Sequence, residues 1–338
     1  MPLNQAIAVT HVSTLSTGTD AYIAVIDPGW TNFGVPHGGY MISLLLKACI
    51  HRQSKTRSPD CAHLAANFIR VSKLTEVNIE VKVVNEGKNF TYLDAVAKQD
   101  GNINISATFV FTNLPSIDSE IPARGFTLSP PHPQARRIPL PTHPSEARIT
   151  PTDAAFNFSD HMKWAEDQVI QKRNEASWTK GNSSPIEVEP QRPGLEWGAW
   201  YELTDKEDII DPAKLVVFAD TFMDSPALLA PPNSISRRNG WFPTLGISMD
   251  FYFKLGDAFS SPTPLFAPRT VGLYSFGKFI VEGRHDQSVE VWTAPASIGS
   301  EGLIDKDWRS KAKILAVSTQ AGLTIPLPDR NGSPSSKL

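Results

Sequence analysis

At 338 residues, the chain is long enough for two ordinary domains, each with its own hydrophobic core. Its formal net charge of −3 argues against a surface built for nucleic acid or for an anionic membrane. With only two cysteines, Cys49 and Cys61, the sequence excludes a disulfide framework and a zinc site with several cysteine ligands.

The first half of the sequence predicts one buried helix wrapped by an antiparallel sheet. A short strand at 21–26 leads into the most apolar run of the chain, at 36–50, which opens with Gly38 and Gly39. Apolar side chains lie almost all round this run, so we expect a helix enclosed by protein. The run is too short, and with Lys47 too polar, to span a membrane. Four segments with strand character follow, at 63–71, 76–85, 90–97 and 103–112.

A proline-rich segment at 116–193 separates the two halves. Six prolines lie between Pro130 and Pro144, and this density excludes sheet or continuous helix there. Further along the segment, we expect a helix at 159–174 that packs over the domains. The basic residues around Arg136 form either a phosphate-binding patch or a solvated loop.

The second half repeats the first. A strand at 197–203 precedes a short apolar helix at 218–229, and four more predicted strands follow, at 244–255, 270–283, 288–294 and 313–325. Strand, helix and four strands thus occur twice in the same order, which indicates a duplicated α+β unit. We predict an N-terminal domain at 1–115, the connector at 116–193, a C-terminal domain at 194–328 and an exposed tail at 329–338. The two sheets can pair edge to edge, which removes exposed strand edges.

This arrangement resembles the double hotdog fold of the TesB-like acyl-CoA thioesterase II family, and the resemblance covers most of the chain apart from the connector. Three segments carry it in the right order and on the right elements. They are Phe-Ala-Asp-Thr-Phe at 218–222, the strand Thr-Leu-Gly-Ile-Ser-Met-Asp-Phe at 244–251, and Ser-Thr-Gln-Ala-Gly at 318–322. The sequence departs from the family pattern at 61–70, where the family's histidine-rich strand is replaced.

The resemblance implies that Asp220, Thr244 and Gln320 hold the water that hydrolyses a thioester. It places Asp220 at the start of the second helix. Each residue also has a purely structural interpretation: Asp220 as a helix cap, Thr244 as a strand former, and Gln320 on a solvated face. The resemblance implies no metal and no cofactor, since CoA is part of the substrate.

The glycine-rich start of the first helix also resembles the family. We expect Gly38, Gly39 and Tyr40 to bind substrate or to stabilise an oxyanion, because amides at a helix start favour negative charge. Alternatively, the glycines only allow tight packing. We predict structural roles for His37 and His63, since neither has a carboxylate partner adjacent in sequence.

The chain ends in Ser336, Lys337 and Leu338, the tripeptide that directs proteins to the peroxisome. The N-terminus lacks the basic and apolar regions of a signal peptide. We therefore expect a peroxisomal protein, with the peroxisomal import receptor as a partner, and the resemblance to the thioesterase II family implies a member of the fungal type.

These features together predict an acyl-CoA thioesterase. One alternative is a hotdog dehydratase, hydratase or tailoring enzyme that acts on an acyl or polyketide thioester. Another is a non-catalytic acyl-CoA binding protein. We expect acyl-CoA as the ligand and no nucleic-acid partner, and the sequence leaves a homo-oligomer open.

Overall fold

The computed structural model describes residues 1–119, 126–151, 157–179, 194–229, 240–261 and 264–326. Within these ranges the chain forms two similar units, each with one central helix packed against an antiparallel sheet. The predicted tail at 329–338, which includes Ser336, Lys337 and Leu338, lies outside the described residues.

The first unit contains a single-turn helix, α1 Leu3–Ala6, and the long central helix α2 Gly38–Gln53. Its strands are β1 Thr10–Thr14, β2 Thr19–Val25, β3 Thr31–Asn32, β4 Val35–Pro36, β5 Asp60–Phe68, β6 Glu76–Glu86, β7 Thr91–Gln99 and β8 Asn102–Thr112. The helix is buried on almost every side, as its apolar sequence predicts. Along β6 and β7, buried residues alternate with less buried ones, so that one face of the sheet packs on the helix.

The second unit has a shorter central helix. Its helices are α3 Gln168–Thr179, α4 Pro212–Ala219 and α5 Ser225–Leu228, followed by single turns at Asp257–Ser260 and Trp308–Lys311. Its strands are β9 Met162–Glu166, β10 Leu195–Leu203, β11 Gly240–Trp241, β12 Thr244–Phe251, β13 Thr270–Gly277, β14 Ile280–Val281, β15 Arg284–Thr293, β16 Ile314–Leu323 and β17 Ile325–Pro326.

The two units have the same strand order and share one continuous sheet. The first runs β2-β6-β7-β8-β5 and the second β10-β13-β15-β16-β12, in the same sequence of elements around the helix. Strands β5 and β12 join the units as an antiparallel pair, in which Met249 lies opposite Leu64. Duplication and edge-to-edge pairing both follow the prediction.

The central helices α2 and α4 pack against each other in opposite directions. Ser43 of α2 donates to the Ala213 carbonyl at the start of α4 at 2.7 Å, whereas the start of α2 contacts the residue that ends α4. The predicted central helix at 218–229 is wrong, because α4 begins nine residues after the end of β10 and stops at Ala219, and only the short α5 lies within that range. Asp211 caps its start by accepting from the Lys214 amide at 2.9 Å, and Pro212 occupies the first turn.

The connector is more closely integrated than predicted. Strand β9, which lies inside the predicted helix at 159–174, pairs with β10 and extends the second sheet into the range 116–193. Burial of Met162 and Trp164 against the core stabilises this strand more than helix propensity does. Arg136 Nε donates to Glu290 Oε1 at 2.7 Å, so the positive charge of Arg136 is paired with a carboxylate of the protein.

Candidate active site

The start of α2 and the end of α4 meet at Asp220. This residue ends α4, and its Oδ2 accepts a hydrogen bond from the Gly39 amide of the other unit at 2.6 Å. Amides at a helix start favour negative charge, so α2 stabilises the ionised carboxylate. The prediction that Asp220 begins a helix is wrong. Its carboxylate instead caps the start of the helix in the first unit.

This contact requires glycine at the start of α2. A side-chain carbon added at Gly39 would lie 2.5 Å from the Val216 carbonyl oxygen. One added at Gly38 would lie 2.7 Å from Asp220 Oδ2. The two glycines are therefore needed both for the close packing of α2 on α4 and for the approach of the α2 amides to the Asp220 carboxylate. A packing role for the glycines is compatible with a role in binding negative charge.

Thr244 and Gln320 lie on the neighbouring strands β12 and β16 and complete a polar group with Asp220. Thr244 Oγ1 lies 3.4 Å from Asp220 Oδ1 and 3.3 Å from Gln320 Oε1. Gln320 Nε2 donates to the Ala219 carbonyl at 2.9 Å, which fixes the amide with its oxygen toward Thr244. The structure thus brings the three predicted residues together. Gln320 is only 6% exposed and does not lie on a solvated face.

His37 joins this group, although sequence reasoning gave it no functional role. It is the N-cap residue of α2, and its Nδ1 accepts from the Tyr40 amide at 3.3 Å. The ring proton therefore belongs on Nε2, which lies 3.0 Å from the Asp220 carbonyl oxygen and donates to it. His37 is a positioning residue, because it fixes the backbone of Asp220 across the junction between the units.

The environment of Asp220 shifts its acidity. Burial raises the pKa of its carboxyl above the usual range for aspartate, while the His37 ring, the Gly39 amide and the Thr244 hydroxyl act in the opposite direction. A raised pKa makes a carboxylate a stronger base, which suits a group that must take a proton from water.

The amides at the start of α2 have different partners. The Gly39 amide bonds Asp220 and the Tyr40 amide bonds His37. Among the described residues, the Gly38 amide has no acceptor, and Gly38 lines the cavity beside Asp220. The structure does not place Tyr40 in that cavity, because its buried hydroxyl donates to the Ala6 carbonyl at 3.1 Å. Gly38 is therefore the remaining candidate donor to an oxyanion.

A cavity of about 270 Å³ opens beside this polar group. Asp220, Thr244 and Gly38 form part of its wall, and Arg70 also borders it. The apolar residues that line it include four aromatic side chains: Phe68, Phe222, Trp241 and Phe242. The cavity therefore combines apolar side chains with the polar group around Asp220, as a site for an apolar group attached to a reactive polar one requires.

Comparison with known proteins agrees with this architecture. Residues 26–112 match the family model of the acyl-CoA thioesterase N-terminal domain. No curated protein matches the chain in sequence. The family match covers α2 and strands β5 to β8, which include the glycine-rich half of the site.

Similarity to solved structures covers nearly the whole chain. A putative thioesterase II from Thermobifida fusca aligns with a TM-score of 0.63 at 15% identity, over 96% of this chain and 97% of that one. A conserved protein with a hot dog fold from Alicyclobacillus acidocaldarius aligns with a TM-score of 0.63 at 15% identity, over 96% and 97% of the two chains. An acyl-CoA thioesterase II from Mycobacterium marinum aligns with a TM-score of 0.61 at 13% identity, over 96% and 98%. The fold is a double hotdog. The predicted fold class is thereby confirmed.

In this double hotdog, the antiparallel central helices create a second junction, where the start of α4 meets the middle of α2. There the helix begins with Asp211, Pro212 and Ala213 instead of a His-Gly-Gly sequence. Proline at this helix start has no amide hydrogen to donate. Lys47 of α2 donates to Asp211 Oδ2 at 2.9 Å, whereas at the first junction the Gly39 amide of α2 donates to Asp220. An ion pair thus replaces the group of hydrogen-bonding residues that the first junction presents.

Neither cysteine of the double hotdog has the surroundings of a nucleophile. Cys49 and Cys61 are buried, and burial raises the pKa of both thiols, which disfavours the reactive thiolate. Within the described ranges, no three His, Cys, Asp or Glu side chains come together to hold a metal ion. None of the described helices is long and apolar enough to cross a membrane.

Proposed function

We propose that the chain is a thioester hydrolase that cleaves an acyl-CoA to the free acid and CoA. The observation that supports this proposal best is the hydrogen-bonding group of Asp220, Thr244 and Gln320, of which Asp220 and Thr244 line one cavity together with Gly38. The match of residues 26–112 to an acyl-CoA thioesterase domain supports the same reaction class.

The three side chains have the hydrogen-bonding capacity to orient one water molecule. The water donates its two hydrogens to Asp220 Oδ1 and Gln320 Oε1, and it accepts the hydroxyl hydrogen of Thr244. One lone pair then remains for attack on the thioester carbonyl. Such positioning converts a collision with bulk water into a reaction between held groups, which lowers the barrier.

Asp220 takes a proton from the water as the new carbon–oxygen bond forms. The carbonyl oxygen becomes negative, and the Gly38 amide at the positive end of α2 donates to it. When the tetrahedral intermediate collapses, the carbon–sulfur bond breaks, the sulfur leaves with the electron pair, and Asp220 returns the proton to it. The products are a carboxylic acid and free CoA thiol, and no covalent enzyme intermediate forms.

Thiol release from a panel of acyl-CoAs tests this proposal. Free thiol in stoichiometric amounts with the acid supports hydrolysis. Addition or loss of water without thiol release would identify a hydratase or dehydratase instead. Binding without turnover on any acyl chain would identify a non-catalytic acyl-CoA binding protein.

We propose further that the protein is a peroxisomal enzyme of the fungal type, imported through its C-terminal Ser336, Lys337 and Leu338. The peroxisomal part of this proposal rests on the sequence, because Ser-Lys-Leu at 336–338 is the tripeptide that acts as a peroxisomal address at a C-terminus. Acyl-CoA hydrolysis and a peroxisomal address are compatible, and they arise from unrelated parts of the chain. Localisation of the full chain by immunofluorescence tests it.

A further inference from the structure

We propose that Asp224 is a specificity-determining residue that accepts a hydrogen bond from an O–H or N–H group of the substrate. The inference rests on the proposed thioester hydrolysis, because Asp224 lines the cavity that also contains Asp220 and Thr244. Its side chain keeps 24% of its surface exposed, so it is available to a ligand in that cavity.

Asp224 does not perform the task that its position in the chain predicts. It is the N-cap residue of α5 with extended backbone angles, where an aspartate usually accepts from an amide of the first helical turn. No such side-chain bond forms at α5. Instead, Asp224 Oδ1 lies 3.5 Å from Nε2 of His285 on β15. The carboxylate is therefore directed away from its own helix, toward the sheet and the cavity.

His285 is built into the sheet as a fixed support for this carboxylate. Its ring is buried, and its Nδ1 lies 3.4 Å from the Gly283 carbonyl oxygen. A side-chain carbon at Gly322 of β16 would lie 2.4 Å from His285 Nε2, so the ring occupies space that only glycine leaves free. The ring also meets Phe242 of the cavity wall edge-on, with 6.3 Å between the ring centroids.

A carboxylate fixed in this way has capacity for more than one donor. It accepts hydrogen bonds at several positions, and His285 occupies only one side of it. A substrate that is purely hydrocarbon near Asp224 would exclude water from the acceptor positions of this carboxylate that His285 does not fill, which is costly. A site built around such a group selects ligands that carry the matching donor. The donor is either a hydroxyl or amine on the acyl group, or an amide N–H of the pantetheine arm of CoA.

Paired substrates and a matched control variant distinguish these two sources. The test compares wild type with Asp224→Ala on a straight-chain acyl-CoA, on its hydroxylated derivative, and on both acyl groups as esters of a simple alkyl thiol without amides. The control is Asp250→Ala, which removes a carboxylate that also pairs with a histidine, His63 at 2.7 Å, but is 57% exposed and outside the cavity lining.

If the donor is on the acyl group, Asp224→Ala lowers kcat/KM by about 10- to 100-fold for the hydroxylated substrate only. If the donor is in pantetheine, kcat/KM falls to a similar extent for both CoA esters and not for the simple thioesters. The control variant changes neither ratio. Values within twofold of wild type on all four substrates would overturn the proposal.

Two further measurements test the role of Asp224. Should Asp224→Ala fold poorly, Asp224→Leu fills more of the same space without an acceptor and is expected to give the same ratios. Should wild type release no thiol from any substrate, the proposed hydrolysis fails separately. The role of Asp224 is then tested by calorimetry, which measures the Kd of a non-hydrolysable thioether analogue of the hydroxylated acyl-CoA. Equal Kd values for wild type and Asp224→Ala would refute the proposed role of Asp224.

Discussion

Replacing Asp220 by asparagine should leave the fold intact and lower acyl-CoA turnover by about 10² to 10⁴, the range for a positioned general base. Asparagine keeps the size of the side chain and an oxygen that accepts from the Gly39 amide, as Oδ2 does at 2.6 Å. It cannot take the proton of the attacking water, so the loss falls on the chemical step. Initial rates of thiol release, measured at saturating acyl-CoA, report this change.

Although Asp220→Asn should lower turnover, we expect it to leave the stability of the fold unchanged or to raise it. Because burial raises the pKa of Asp220, the folded state binds this proton more tightly than the unfolded state does. The contribution of Asp220 to stability is therefore greatest when the carboxyl is protonated, and it is lost as pH rises through the folded-state pKa. Asparagine resembles the protonated acid. The variant should thus melt at the same temperature as wild type or higher at neutral pH.

The matched control is Asp211→Asn, at the other end of α4. Burial acts to raise the pKa of Asp211, but Lys214 and Lys47 hold it below the usual range for aspartate. Its ionised form therefore stabilises the fold above the unfolded-state pKa, and this stabilisation is lost as pH falls through the folded-state pKa. The control should lower the melting temperature and leave turnover nearly unchanged. Near-normal turnover of Asp220→Asn on the best acyl-CoA would show that the proposed site is wrong and that the family resemblance describes only the fold.

Three other predictions follow from the same site and from the chain end. Gln320→Ala should slow the same step, so the double variant with Asp220→Asn should lose much less turnover than the product of the two single losses. Multiplicative losses in this double-mutant cycle would argue against a shared water. Turnover should rise with pH through an ionisation above the usual aspartate range, and a profile that is flat through acidic pH would exclude Asp220 as the base. Removing Ser336, Lys337 and Leu338 should move the protein from peroxisomes to the cytosol with unchanged turnover in vitro, whereas loss of soluble protein would give the tail a structural role.

Most of the first unit could be predicted from sequence because its signals are local. The apolar run at 36–50 corresponds to α2 Gly38–Gln53, since a helix that is apolar all round has no alternative to burial. The alternation at 76–85 corresponds to β6 Glu76–Glu86, because a period of two side chains is characteristic of a strand with one buried face. In both cases the pattern and the tertiary environment agree, and only the element ends differ.

The second unit was harder to predict because its central helix is short and the apolar sequence continues beyond it. The apolar sequence predicts a helix at 218–229, but α4 Pro212–Ala219 ends where that range begins. The signal that marks the true start is an aspartate followed by proline, at Asp211 and Pro212, a common helix N-terminus. Strand β9 gave no comparable signal, since its five residues become a strand by pairing with β10.

The partners of the histidines could not be predicted from adjacency in sequence. His37 lies 183 positions from the Asp220 carbonyl that it bonds, and His63 lies 187 positions from Asp250. Both contacts cross between the two units, one through the packed helices and the other through the β5–β12 strand pair. Neither contact exists until the units associate, so a criterion based on neighbouring residues necessarily misses them.

Duplication alone would give two equivalent junctions, because antiparallel helices place each helix start beside the other helix. A hydrolytic site requires different things of the two partners: free amides and no side chains at one helix start, and a carboxylate at the end of the other helix. Gly38 and Gly39 meet the first requirement and Asp220 meets the second. At the other junction, Pro212 removes an amide and Lys47 brings a cation. Each unit therefore supplies a different half of the same candidate site.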